Sequence, residues 1–177
     1  EKVSENSWKI SSFGKHPLFT IKQESIFSID NGNVVLESGF RKLDVLGGLR
    51  KDHQTYKVEK EDNRKIIIYS FGKKKGSIEI EENFFDNLTL QVQAKMNYLD
   101  KDQFKINYFD KGKIKIKSFL NKKEKIIYKS KPVEVFEFTE QREDKRYFKF
   151  LILDNSNKET VKVFQGGRGF NIDWELD

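Results

Sequence analysis

The side chains that most often do chemistry are scarce in this chain. It has 2 His and no Cys in 177 residues. Without a thiol there is no cysteine nucleophile, thiolate zinc site or disulfide. A serine nucleophile needs a base beside it, and His16 and His53 are the histidines that can supply one. His16 precedes Pro17, and His53 lies between Asp52 and Gln54 in a polar stretch. Neither belongs to a nucleophile-elbow pattern, so both read as surface residues. Glu79, Glu81 and Glu82, and Glu134 with Glu137, are close in sequence. Glycoside hydrolysis needs two facing carboxylates at a set separation, one with a raised pKa, and sequence proximity does not supply that. Asp154-Asn155-Ser156-Asn157 starts like a calcium loop, but Glu159 stands where the sixth-position glycine is required, so it reads as a turn. Gly166-Gly167-Arg168-Gly169 and Gly72-Lys73-Lys74-Lys75-Gly76 are glycine-rich. A phosphate loop opens a helix, whereas each of these runs into a strand pattern. Both read as hairpin turns, with Lys73, Lys74 and Lys75 as candidate anion contacts. The expectation is a protein without catalytic residues, metal or cofactor, and not an enzyme.

The elements that would position any site are mostly strands. From Thr20 onward the apolar pattern has period two. Asp30-Asn31-Gly32-Asn33 and Asp110-Lys111-Gly112 are hairpin signals, because Asn and Gly tolerate positive φ. Asp62-Asn63 reads as another turn. Lys113-Ile114-Lys115-Ile116-Lys117 alternates strictly, which predicts isoleucines inward and lysines outward. Phe170, Ile172, Trp174 and Leu176 share one face of the last strand. One stretch switches to helical spacing: Phe85, Leu88, Val92, Met96 and Leu99 share a face, with Gln91, Gln93 and Lys95 on the others. Asp86 is the N-cap, and Phe85 with Leu90 forms the hydrophobic staple. The predicted fold is mainly β: a curved antiparallel sheet or open β-barrel of ten to twelve strands, with one central helix at about 87–99 packed on it. Residues 1–16 read as a polar lead-in with room for a short helix, and 17–177 as a single β-rich domain without a linker or repeat.

Val133 to Phe138 and Tyr147 to Leu153 are apolar on both faces. Such a strand must be covered on both sides. That pattern nominates Phe85, Val92, Met96, Phe136, Phe138, Phe148 and Phe150 as residues lining an apolar ligand site.

The charge is +6, from 34 basic and 28 acidic residues, and the basic set is 28 Lys against 6 Arg. Readers of nucleic acid lean on Arg for bidentate contacts, and an RNA-recognition motif needs a βαββαβ order that a single helix does not provide. No nucleic-acid partner is expected. No apolar run reaches the ~18 residues of a membrane span. The chain opens at Glu1 without an initiator Met or a visible signal sequence.

Several segments resemble a known family. Leu46-Gly47-Gly48-Leu49-Arg50, followed by the polar strand ending Tyr56-Lys57-Val58, is similar to a leucine–glycine segment. Phe85 to Gln91 is similar to an LDxLSxQ helix start. Tyr108 to Phe119 and Leu151 to Gln165 are similar to strand pairs, although the family's frequent tryptophan and proline are replaced around Phe150 to Leu153 and Glu159-Thr160. In this order they resemble a Gram-negative exported, periplasmic family of unknown function, DUF 3108. The resemblance implies a removed signal peptide, a periplasmic or envelope location, and a fold similar to the lipoprotein-carrier (LolA-like) proteins, which hold acyl chains in an apolar hollow. The family has no established activity, so it implies no functional residues. Two functions stay open. One is a non-catalytic envelope protein that binds a lipid, acyl chain or envelope protein in an apolar hollow. The other is a structural module with a closed dry core that binds an anionic envelope polymer through lysine faces, including Lys113, Lys115 and Lys117.

Overall fold

A computed structural model describes residues 1–61, 64–144, 146–167 and 170–175, with side chains left undescribed at positions 16, 50, 167 and 170–175. The chain is mainly β, 70 % strand against 9 % helix, in two sheets of which one curls strongly into a half-barrel, with one helix. The mainly-β, curled-sheet expectation therefore holds. The turn expected at Asp62-Asn63, Arg168-Gly169 of the second glycine cluster, and the face of Phe170, Ile172, Trp174 and Leu176 lie outside the described residues or side chains. No helix among the described residues is long and apolar enough to cross a membrane.

The first sheet is a six-stranded antiparallel meander in sequence order: β1 (Ser7–His16), β2 (Phe19–Asp30), β3 (Asn33–Val45), β4 (Arg50–Glu61), β5 (Arg64–Phe71) and β6 (Lys74–Ile80). The second has the order β13-β12-β11-β10-β9-β8-β7. Its strands are β7 (Phe84–Phe85), β8 (Gln103–Asp110), β9 (Lys113–Tyr128), β10 (Lys131–Gln141), β11 (Tyr147–Leu153), β12 (Thr160–Gly167) and β13 (Phe170–Glu175). The helix α1 (Asn87–Asn97) follows β7. Strands thus number thirteen among the described residues, not ten to twelve. One pair, the two-residue β7 against β8, is parallel.

The strand excess has physical causes. The polar lead-in is a strand: β1 pairs with β2 over ten positions, from Ser7–Ser28 to His16–Phe19. As an edge strand it can carry serine and lysine where a central strand could not, which is why its composition hid it. Hairpin turns fall where expected, with positive φ at Asn31 and Gly32, and at Lys111 and Gly112.

The chain divides into two compact units, residues 1–92 with 107–115, and residues 93–106 with 116–177. The dividing lines run through α1, β8 and β9, so no linker composition marks them. In the first unit, Leu36, Tyr56, Ile67, Phe84 and Phe109 form the core, with Val58, Tyr69, Ile78, Ile80 and Ile114 packed against it. In the second, β10 and β11 are apolar on both faces as predicted. One face carries aromatic rings; on the other Val135, Leu151, Leu153 and Val161 cluster.

Two sequence expectations are corrected. Ile116 of β9 is 72 % exposed, while the Lys117 side chain is 13 % exposed. Lys117 turns inward because the nearly buried Glu140 carboxylate holds its ammonium at 3.2 Å. Buried charge is tolerated when it is paired. The second correction is the helix stripe. Met96 is 40 % exposed and Val92 half-buried, whereas Asn87, Thr89, Gln91 and Gln93 are buried with Leu88, Leu90 and Ala94. Several of these polar ends are bonded: Gln91 Nε2 donates to Asn87 O at 2.9 Å, and Asn87 Oδ1 accepts from Tyr108 Oη at 2.5 Å. The helix ends two residues early because the Asn121 amide of the second unit takes the carbonyls of Tyr98 and Leu99 at 3.2 and 3.0 Å.

Candidate functional site

The residues nominated for an apolar ligand are divided between the two units. Phe85 and Val92 belong to the first unit; Met96 and the four phenylalanines belong to the second. Phe138 and Phe150 are fully buried, and Phe148 is nearly so. Their rings pack with Phe104 and Phe119 at centroid separations of 4.9 to 6.3 Å. The space between them is filled by the rings themselves. Over Phe136 sit the ammonium groups of Lys123 and Lys158, 4.9 and 5.2 Å from its centroid. Asp154 holds both lysines, at 2.8 and 2.9 Å. The segment that starts like a calcium loop is thus a turn whose carboxylate grips lysines; Asn155 Oδ1 closes it by accepting from the backbone of Asn157 and Lys158.

The three lysines of the first glycine loop are exposed, and Lys73 sits in the turn itself. Lys74 and Lys75 open β6 opposite Phe71 and Ser70. Successive strand residues point to opposite faces, so the loop does not aim its ammonium groups at one point. His53 Nε2 meets Asp44 Oδ1 at 2.9 Å across β3 and β4, with both side chains about 40 % exposed.

In the first unit two places concentrate unusual geometry. The first is Asp86, the helix N-cap. Its Oδ1 accepts from the backbone of Leu88 and Thr89 at 3.0 and 2.8 Å and from Thr89 Oγ1 at 2.8 Å. Thr89 Oγ1 in turn accepts from Asp86 N at 3.0 Å, which makes a reciprocal cap. Its Oδ2 takes the hydroxyls of Ser25 and Tyr56. Tyr56 reaches it by lying across Gly39, its cross-strand partner; a Cβ at Gly39 would overlap the ring and come within 2.8 Å of Glu24 O.

Burial, and then the Asp86 charge and hydrogen bond, hold the Tyr56 phenol well above its ordinary value of 10.0. Below pH 10 folded and unfolded chains both keep this proton. Above it the unfolded chain releases the proton first, so the stability contribution is lost as pH rises from 10 through the folded value. Burial also raises Tyr98, which is partly offset by a hydrogen bond with Gln93. In a spectrophotometric titration Tyr56 is expected to ionise last, together with alkaline unfolding, and Tyr56→Phe should remove that late step. Six phenols ionising together near pH 10 in a still-folded protein would refute this.

The second place is an opening between β3 and β4. Their ladder runs from Val45–Arg50 to Ser38–Lys57 and stops, although β3 continues to Asn33 and β4 to Glu61. A bulge lies here: Ile26 faces Ser38 but Phe27 faces Leu36, leaving Glu37 as the extra residue. The bulge bends the strand away and changes side-chain facing, which brings Leu36 into the core. Beyond the last rung lies a cavity of about 140 Å³. Leu36, Val58, Ile80 and Phe84 give it an apolar lining, and Glu37, Lys60 and Lys65 are its charged residues.

No family model, curated protein or solved structure matches this chain. The resemblance to DUF 3108 rests on segment order alone.

Sequence reasoning found Asp86 as a cap, because the signal is local. It missed the Asp86–Tyr56–Ser25 cluster and the cavity. Ser25 and Tyr56 lie 61 and 30 residues from Asp86, and no short spacing encodes such a meeting. The available signal for the cavity was Leu36-Glu37, a break in the alternation of β3.

Proposed function

We propose that this chain is a non-catalytic binding protein that takes the apolar end of a lipid or other amphiphile into the cavity between β3 and β4. The carrying observation is that cavity: about 140 Å³, lined on one part by Val35, Leu36, Val58, Ile80 and Phe84, at a place where the sheet's hydrogen bonding stops. An apolar cavity of about 150 Å³ is large enough to take up benzene. The volume here suits a ring of that size or the last few carbons of a chain, the remainder lying outside. At about 0.8 kcal/mol per buried methylene, five methylenes contribute roughly 4 kcal/mol, a dissociation constant near 1 mM. The filled ring cluster of the second unit reads as scaffold instead, with Phe138, Phe148 and Phe150 packing the core. The periplasmic or envelope location follows from the family resemblance and belongs to the same proposal.

Octan-1-ol added to methyl-labelled protein is expected to shift the resonances of Leu36, Val58 and Ile80 in a saturable way. Val58→Trp, which fills the cavity, should abolish those shifts. Methyl spectra unchanged up to the solubility of the alcohol would sink the reading. Ile127→Trp, at an exposed position of the other unit, is the control and should leave the shifts as they are.

A further inference from the structure

We infer that the amphiphile is anionic and that Lys60 and Lys65 hold its head. This rests on the cavity reading above and adds the class of ligand. Lys60 and Lys65 are direct cross-strand partners on β4 and β5, and both line the cavity. Directly opposed like charges destabilise an antiparallel pair, so the position calls for an anion between them. On the neighbouring rung Glu59 pairs with Lys57 at 3.1 Å and Glu79 with Arg64 at 3.8 Å. The remaining charged lining residue, Glu37, accepts the Ser7 hydroxyl at 3.1 and 3.0 Å. Neither Lys60 nor Lys65 forms an ion pair among the described residues. Two ammonium groups therefore stand beside an apolar recess of about 140 Å³. The complement to that arrangement is a short apolar chain ending in a carboxylate or phosphate. The carboxylate of a fatty acid and the phosphate of a lipid share this chemistry.

The test compares chains of equal length with different heads. Octanoate and octyl phosphate are expected to bind about tenfold tighter than octan-1-ol at low salt, as two nearby unit charges would give in water, with octyltrimethylammonium weakest. A further preference for octyl phosphate over octanoate would support the phosphate source, and the reverse the carboxylate. The double variant Lys60→Gln/Lys65→Gln should remove the preference for octanoate over octan-1-ol, with circular dichroism reporting that the variant is folded. Raising salt to about 0.5 M should shrink the same gap in the wild-type protein. Equal binding of octanoate and octan-1-ol, or an anion preference that survives both substitutions, overturns the lysine clamp and leaves the cavity reading standing. Inorganic phosphate binding as tightly as octyl phosphate would make the lysines a plain anion site and overturn the amphiphile. Failure of all the octyl compounds to bind defeats the cavity reading, and this inference with it.

Discussion

Phe138→Ala is expected to destabilise the second unit by about 3–5 kcal/mol, the cost of deleting a large ring from a core that cannot collapse around the void. Phe138 is fully buried. Its ring stacks on Phe150 at 4.9 Å and 13°, and meets Phe104 edge-on at 5.9 Å. These neighbours are carried by strands, which fixes their spacing. Phe138→Leu restores part of the volume and should cost less than half as much. The measurement is urea unfolding followed by circular dichroism, with hydrogen exchange over residues 93–106 and 116–167 to locate the loss. Ile127→Ala is the contrast: this side chain is 67 % exposed, and its removal should stay within about 0.5 kcal/mol. If Phe138→Ala costs no more than Ile127→Ala, the ring cluster is not the core described above.

Asp86→Ala should destabilise the first unit by about 3 kcal/mol. Loss of the N-cap accounts for about 1 kcal/mol. The rest comes from buried hydroxyls: Ser25 is 1 % and Tyr56 6 % exposed, and both donate to the carboxylate that is removed. A buried donor left without a partner costs about 1–3 kcal/mol. Asp86→Asn separates the two contributions. Asparagine caps a helix about as well as aspartate, and its amide still offers Ser25 and Tyr56 a polar partner, so it should lose only about 1 kcal/mol. Equal stabilities for the alanine and asparagine variants in urea titrations would show that the Tyr56 and Ser25 bonds contribute nothing. The alanine variant should also lower the Tyr56 pKa, because the Asp86 charge helps to raise it, while burial, the larger cause, keeps it above 10.0.

How far the sequence carried the fold depends on the range of each signal. Asn31-Gly32 and Lys111-Gly112 were legible as turns because positive φ is a property of the residue itself. Asp86 was legible as a cap because its partners are two and three residues away. The face of α1 was not. A stripe drawn through apolar residues ignores that Asn87, Thr89 and Gln91 are buried with their polar ends bonded, Thr89 and Gln91 within the helix start and Asn87 to Tyr108. The inward turn of Lys117 depends on Glu140, 23 residues on, and no alternation rule contains it. The segments of β10 and β11 were legible as apolar on both faces; what covers Phe138 and Phe150 is other rings of the same unit. The cavity depends on where one ladder stops, and the strand pattern is silent on that.

The first unit borrows residues 107–115 from beyond the helix, and Phe109 from that segment is 99 % buried in its core, as its exposure is 1 %. It meets Tyr56, Tyr69 and Phe84 edge-on at 5.0, 6.0 and 5.9 Å. A nascent polypeptide that has left the ribosome only as far as position 92 therefore has its six-stranded meander without the ring that completes it. At 5–20 residues per second, roughly 1–3 seconds of translation separate the two. During that interval Tyr56, Ile67 and Phe84 are open to water, a natural moment for a holdase chaperone to engage the growing chain.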